Sequence, residues 1–187
     1  MSDQNYPDPG AICNAEEQGL VFSEDKKILL TCENKEITAV VIPDGVTEIG
    51  DNAFYGCTNL TGIVIPPSVT SIEESAFYGC SSLSDITIPD SVSAIGMGAF
   101  SGCSGLSSIV IPESVTKIAA FTFEECENLT AILIPESVTE IEENAFLGCL
   151  SLTEIVLPAS VTEIGEDAFF ETGCEDQVRE DYPHLFK

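Results

Sequence analysis

The 187-residue chain sets 32 acidic against six basic side chains, with one histidine and no tryptophan, for a net charge of −26. That balance excludes nucleic acid, which needs basic stripes to displace counterions, and disfavours anionic membrane surfaces. A hydrophobic fraction of 44% fits a single folded domain with a sizeable core, while the scarcity of basic residues and histidine leaves little material for enzymatic chemistry.

In chain order, residues 1–19, with Pro7, Pro9 and Gly10, read as a loosely ordered lead-in. Residues 20–36 follow as a cap. Leu20–Val21–Phe22 and Ile28 to Cys32 are two apolar runs around the polar turn Ser23–Lys27, the pattern of a β-hairpin. Lys26 and Lys27 on that turn suit a protected sheet edge.

From Ile37 to Cys174 the chain repeats itself six times at a step of 23 residues. The proline of the unit falls at Pro43, Pro66, Pro89, Pro112, Pro135 and Pro158, and its phenylalanine at Phe54, Phe77, Phe100, Phe123, Phe146 and Phe169. In the second copy Leu60, Ile63 and Ile65 have the alternation of a short strand, which Pro66 ends because it lacks an N–H for the next ladder position. Val69 and Ile72 form a second extended piece, and Ala76, Phe77 and Cys80 have the spacing of a helical or 3₁₀ turn. So few inward positions make no core alone; stacked, they form continuous columns, and a solenoid results. At the spacing of parallel strands, about 4.8 Å, six coils make a body roughly 29 Å long.

The fourth copy departs most from the others, with Ile118-Ala-Ala-Phe-Thr-Phe-Glu-Glu-Cys126 adding Phe121, and the third carries Gly96-Met97-Gly98. An extra aromatic on a turn makes Phe121 a secondary candidate contact. After two inserted residues before Cys174, residues 175–187 read as a cap: a short helix over Glu175–Tyr182 stopped by Pro183, with Leu185 and Phe186 sealing the last coil. His184 lies in this cap, too isolated for a Ser-His-Asp or Cys-His centre.

Cys57, Cys80, Cys103, Cys126 and Cys149 occupy one repeat position and read as a buried, reduced ladder of small thiols. Their spacing is unlike that of paired zinc ligands, and no D-x-D-x-D-G loop offers a calcium site, so no metal and no cofactor is expected. Cys13, Cys32 and Cys174 stand outside the ladder, as free thiols or as cap bridges. No apolar run reaches the length of a membrane helix, and MSDQNYPDPG does not read as a signal peptide; the protein is either intracellular or exported by a signal outside this sequence.

On the outward side of the first strand of each coil stand Val41, Val64, Thr87, Val110, Leu133 and Val156, bordered by hydroxyls at Thr38, Thr61, Ser84, Ser107, Thr130 and Thr153. Two readings stand: strand propensity alone, or a shallow apolar recognition stripe.

The pattern L-x-x-I-x-I-P-x-S-V-T-x-I-x-x-x-A-F-x-G-C-x-x-L resembles the BspA-like leucine-rich repeats of bacterial and protist surface proteins, over about 138 of the 187 residues. The resemblance implies an α/β solenoid: a right-handed leucine-rich-repeat crescent of six 23-residue coils with a parallel β-sheet on its concave face, an N-terminal hairpin cap and a C-terminal helical cap. It also implies a non-enzymatic binding module that attaches to a protein or peptide, such as a host or matrix protein, at the cell surface. An intracellular scaffold of the same shape is the alternative. A third reading, ice or carbohydrate binding, would use the column Thr47, Thr70, Thr116, Thr139 and Thr162, interrupted by Ser93.

Overall fold

The computed structural model describes residues 18–186; the lead-in up to residue 17, with Cys13, lies outside that range. Strands β1 (Leu20–Phe22) and β2 (Ile28–Cys32) pair antiparallel, Leu20 opposite Cys32, around a turn that Asp25 stitches by accepting from the Ser23 hydroxyl and the Lys27 amide. The free side of β2 pairs in parallel with the first coil, so the hairpin is the first layer of the stack. An apolar face that would otherwise meet water is thereby covered.

Each coil then contributes up to two short strands. On the first face lie β3 (Ala39–Val41), β5 (Gly62–Val64), β8 (Ser108–Val110) and β10 (Ala131–Leu133). On the second lie the two-residue strands β4 (Glu48–Ile49), β6 (Ser71–Ile72), β7 (Ala94–Ile95), β9 (Lys117–Ile118), β11 (Glu140–Ile141) and β12 (Glu163–Ile164). All pairings between coils are parallel and in repeat register, for example Ile49 beside Ile72 and Leu133 beside Val110. Period-two alternation buries Ile63 and Ile65 while turning Val64 outward.

The third side is a turn, and it is the spine of the molecule. Every step from one coil to the next carries three backbone hydrogen bonds here; from the second to the third they run from Ser75, Phe77 and Gly79 to Met97, Ala99 and Ser101 (2.7–2.9 Å). Two left-handed residues per coil aim these amides along the stack. One column runs Asn52, Ser75, Gly98, Phe121, Asn144, Asp167; the other runs Gly56, Gly79, Gly102, Glu125, Gly148, Glu171. Asn, Asp, Ser and Gly tolerate that conformation, whereas Phe121 and Glu125 hold it at a cost.

Inside the spine the six phenylalanines stack, neighbouring rings 5.1–5.7 Å apart and within 14° of parallel. The thiols of Cys80, Cys103, Cys126 and Cys149 each donate to the carbonyl of the phenylalanine in the preceding coil, at 3.1–3.2 Å. Burial pushes Cys80 and Cys149 up to about 12, so they remain protonated donors.

The first face differs from the uninterrupted sheet that the repeat predicts. It forms two separate pairs, β3–β5 and β8–β10, because the third and sixth coils do not complete strands. The position that begins each strand differs between these coils: it holds Ala39, Gly62, Ser108 and Ala131 where strands form, but Asp85 and Glu154 where they do not. On the second face the ladder breaks once, between β7 and β9, which is also where the phenylalanine column is widest (Phe100–Phe123, 5.7 Å).

Helix α1 (Glu175–Asp181) closes the far end with Val178 buried. Gln177 imitates a neighbouring strand, its side-chain amide donating to the Ile155 carbonyl at 3.2 Å while its oxygen accepts from the Ile155 amide at 3.3 Å. Leu185 accepts from the Ile164 amide and Phe186 bridges to Ile164 in parallel, extending the second sheet over the last coil.

Candidate functional site

The outward stripe of the first face is not uniform. Val41 and Val64 are half-buried and Thr87 is a polar gap in an unpaired coil, but Val110, Leu133 and Val156 stand 60%, 63% and 85% exposed in three consecutive coils. Val110 and Leu133 are register partners, held by the β8–β10 pairing and by the Ile111 amide on the Leu133 carbonyl at 3.1 Å. Ser108 and Ala131, two positions earlier, are exposed and small, so the apolar row rises from a low floor bounded by Glu154. Val110 and Leu133 stand side by side on paired strands, and Val156 continues the row on a coil that forms no strand on this face.

The hydroxyls bordering the stripe do a structural task that the sequence did not reveal. Thr61 donates to the Thr38 carbonyl at 2.9 Å and Thr130 to that of Ser107 at 3.1 Å, each tying its coil to the one before. On the second face Thr47, Thr70, Thr139 and Thr162 do the same. Ser91, Ser114, Ser137 and Ser160 repeat the device after the prolines, at 2.6–2.7 Å. Their recurrence through the repeats was the available signal, since a period that repeats a donor also repeats the carbonyl one layer away.

Phe121 is not brought together with the stripe. It lies on the turn side, half-buried, with a φ of 58°. Near it Ala120, Glu140, Glu142, Glu143, Glu163 and Glu166 line a shallow depression. Against a burial that would raise it, the Lys117 ammonium and the Ala120 amide hold the Glu142 carboxyl below its ordinary range. Sequence reading also passed over an exposed stacked pair, Tyr55–Tyr78, with ring centres 4.9 Å apart in the column just after the phenylalanines. Among the described residues no group of three or more His, Cys, Asp or Glu side chains is arranged to hold a metal ion, and no helix is long and apolar enough to cross a membrane.

Stacked coils with parallel strands, a repeated phenylalanine spine and a closed hairpin end define a leucine-rich-repeat solenoid. Residues 31–121 and 70–178 match the model of the BspA type leucine rich repeat region, in six copies, and the chain belongs to that family. A crystal structure of a leucine rich cell surface protein from Faecalibacterium prausnitzii A2-165 is 46% identical, covering 74% of this chain and 40% of that one with a TM-score of 0.69. The leucine rich repeat protein of T. pallidum superposes over 94% of this chain and 97% of its own, with 28% identity and a TM-score of 0.75. A leucine-rich repeat protein from Bacteroides ovatus ATCC 8483 is 28% identical over 83% of this chain and 48% of its own, TM-score 0.63. The chain thus spans less than half of the Faecalibacterium and Bacteroides proteins. Comparison with curated protein sequences finds no match.

Proposed function

We propose that the chain is a protein-binding module that attaches to a protein or peptide through the stripe Val110–Leu133–Val156, and that it works at the cell surface, as the description of its Faecalibacterium relative suggests. The observation that carries the reading is the exposure of three large apolar side chains in neighbouring coils of a highly acidic molecule. A partner buries apolar area on this row, and its basic groups meet Glu113, Glu136 and Glu154 at the rim, where charge acts mainly on the association rate. Ice or carbohydrate binding through the threonine column has less support, because the hydroxyls of Thr47, Thr70, Thr139 and Thr162 already donate to backbone carbonyls.

Binding to a panel of purified matrix proteins tests the reading. Leu133→Arg abolishes binding while leaving the circular dichroism unchanged, and Glu113→Ala alters only the salt dependence. If Leu133→Arg binds like wild type while Phe121→Ala does not, the site belongs to the turn of the fourth coil; if no matrix protein binds, attachment to such proteins is refuted.

A further inference from the structure

The first face of the last four coils carries charge of one sign. Residues 83–92, 106–115, 129–138 and 152–161 contain no Lys, Arg or His, and five exposed carboxylates stand among them. Asp85 and Glu154 lie two residues before the outward row of Thr87, Val110, Leu133 and Val156, and Asp90, Glu113 and Glu136 lie three residues after it. The row is therefore an apolar strip between two acidic margins, with no cation of its own face to answer them.

Val110 and Leu133 are register partners, so the row crosses the strands and runs along the axis of the stack. At about 4.8 Å per coil, Val110 to Val156 spans about 9.6 Å. A partner lying along the row has to present apolar side chains at that repeat. In an α-helix residues i, i+3 or i+4, and i+7 share one face, and i to i+7 covers about 10.5 Å. In an extended chain residues i, i+2 and i+4 share a face and cover about 13.6 Å. Over three coils the helix is out of step by about 1 Å and the extended chain by about 4 Å.

Resting on the reading that the stripe is the binding face, we infer that the partner's contact element is a basic amphipathic α-helix laid along the solenoid axis. Its apolar side chains meet Val110, Leu133 and Val156, and its Lys or Arg side chains reach the acidic margins. Long basic side chains suit that task, because their stems cover apolar surface while their heads extend to the carboxylates. Ser108 and Ala131, small and exposed beside the row, leave room for the helix to approach. Spacing and charge carry the selectivity, since the bordering Thr130 hydroxyl is already donated to the Ser107 carbonyl at 3.1 Å. A second copy of this chain is not the occupant: its helix α1, EDQVRED, is itself acidic, and two molecules of net charge −26 repel.

The test titrates the full chain, at physiological ionic strength, with two synthetic leucine–lysine peptides of identical composition. One places leucine at helical spacing and the other alternates leucine with lysine. The helical isomer is expected to bind at least about tenfold more tightly and to gain helical circular dichroism on binding. Leu133→Ser, a change without charge, weakens it by about tenfold. Glu113→Gln combined with Glu136→Gln slows association several-fold and flattens the salt dependence, whereas Glu143→Gln combined with Glu166→Gln, the same charge change on the turn side, has less than about a twofold effect. Equal or tighter binding of the alternating isomer overturns the helical partner and leaves the stripe in place as the site. Binding of the helical isomer that ignores Leu133→Ser, or that responds equally to both glutamate pairs, overturns its placement on this face. Binding of neither peptide overturns the basic helix as partner class, and the matrix-protein panel then judges the stripe separately.

Discussion

The turn side and the first strand face are made of the same six repeats, yet they are built to different standards. On the turn side all five steps between coils carry three backbone hydrogen bonds and a phenylalanine stack, and the first four also a thiol bonded to a carbonyl. On the strand face only two of the five steps, β3–β5 and β8–β10, are laddered, and the outward side chains grow more exposed toward the far end. Stacking is secured by the spine, which leaves the strand face free to vary. Substitutions such as Asp85 and Glu154 are tolerated there because the coils are already held together elsewhere.

Removing a spine residue has the largest expected effect. Phe77→Ala leaves a cavity between Phe54 and Phe100 and costs about 3–5 kcal/mol, measured by denaturant unfolding. A loss below about 1 kcal/mol would mean that the rings only fill space. A gain is expected at Glu125, which is exposed and left-handed in a column otherwise held by Gly56, Gly79, Gly102, Gly148 and Glu171. Glu125→Gly relieves strain of about 1–2 kcal/mol against a smaller loss of chain entropy, for a net stabilisation of about 0.5–1 kcal/mol. A lower unfolding midpoint would show that Glu125 makes a compensating contact. The mildest change is on the strand face. Asp85→Ala allows the third coil to pair, so amides of residues 86–88 gain roughly tenfold protection while global stability shifts by no more than about 0.5 kcal/mol.

Much of this was legible in the sequence because a strict 23-residue period converts identity along the chain into adjacency in space. The solenoid and the buried cysteine column follow from Leu60, Pro66, Phe77, Cys80 and their copies, while the hairpin and the terminal helix were read from the apolar runs around Ser23–Lys27 and from Glu175–Tyr182. The interruptions were not. Asp85 and Glu154 each replace a small residue at the first position of a strand, and only the missing strands there show it. The hydroxyls beside the stripe were read as its border, since sequence gives no direction for a hydroxyl, and two of them, Thr61 and Thr130, tie their coils to the ones before. Phe121 drew notice as an additional aromatic. Its left-handed backbone depends on the turn geometry, which the six letters at that position, N, S, G, F, N and D, hint at only when compared as a column. In the candidate site, the apolar column was readable but its gradient of exposure was not, because Val41 and Val64 are shielded by packing that the period alone does not encode.

Native-state hydrogen exchange on the reduced, full-length chain tests the division of labour most directly. The amides of Phe77, Phe100, Phe123 and Phe146 are expected to exchange only through global unfolding, with free energies equal to that from denaturant melts, while those of residues 86–88 exchange at least a hundredfold faster through local opening. Equal protection on both faces, or faster exchange in the phenylalanine column than in the unpaired third coil, would contradict the claim that the turn side holds the solenoid together.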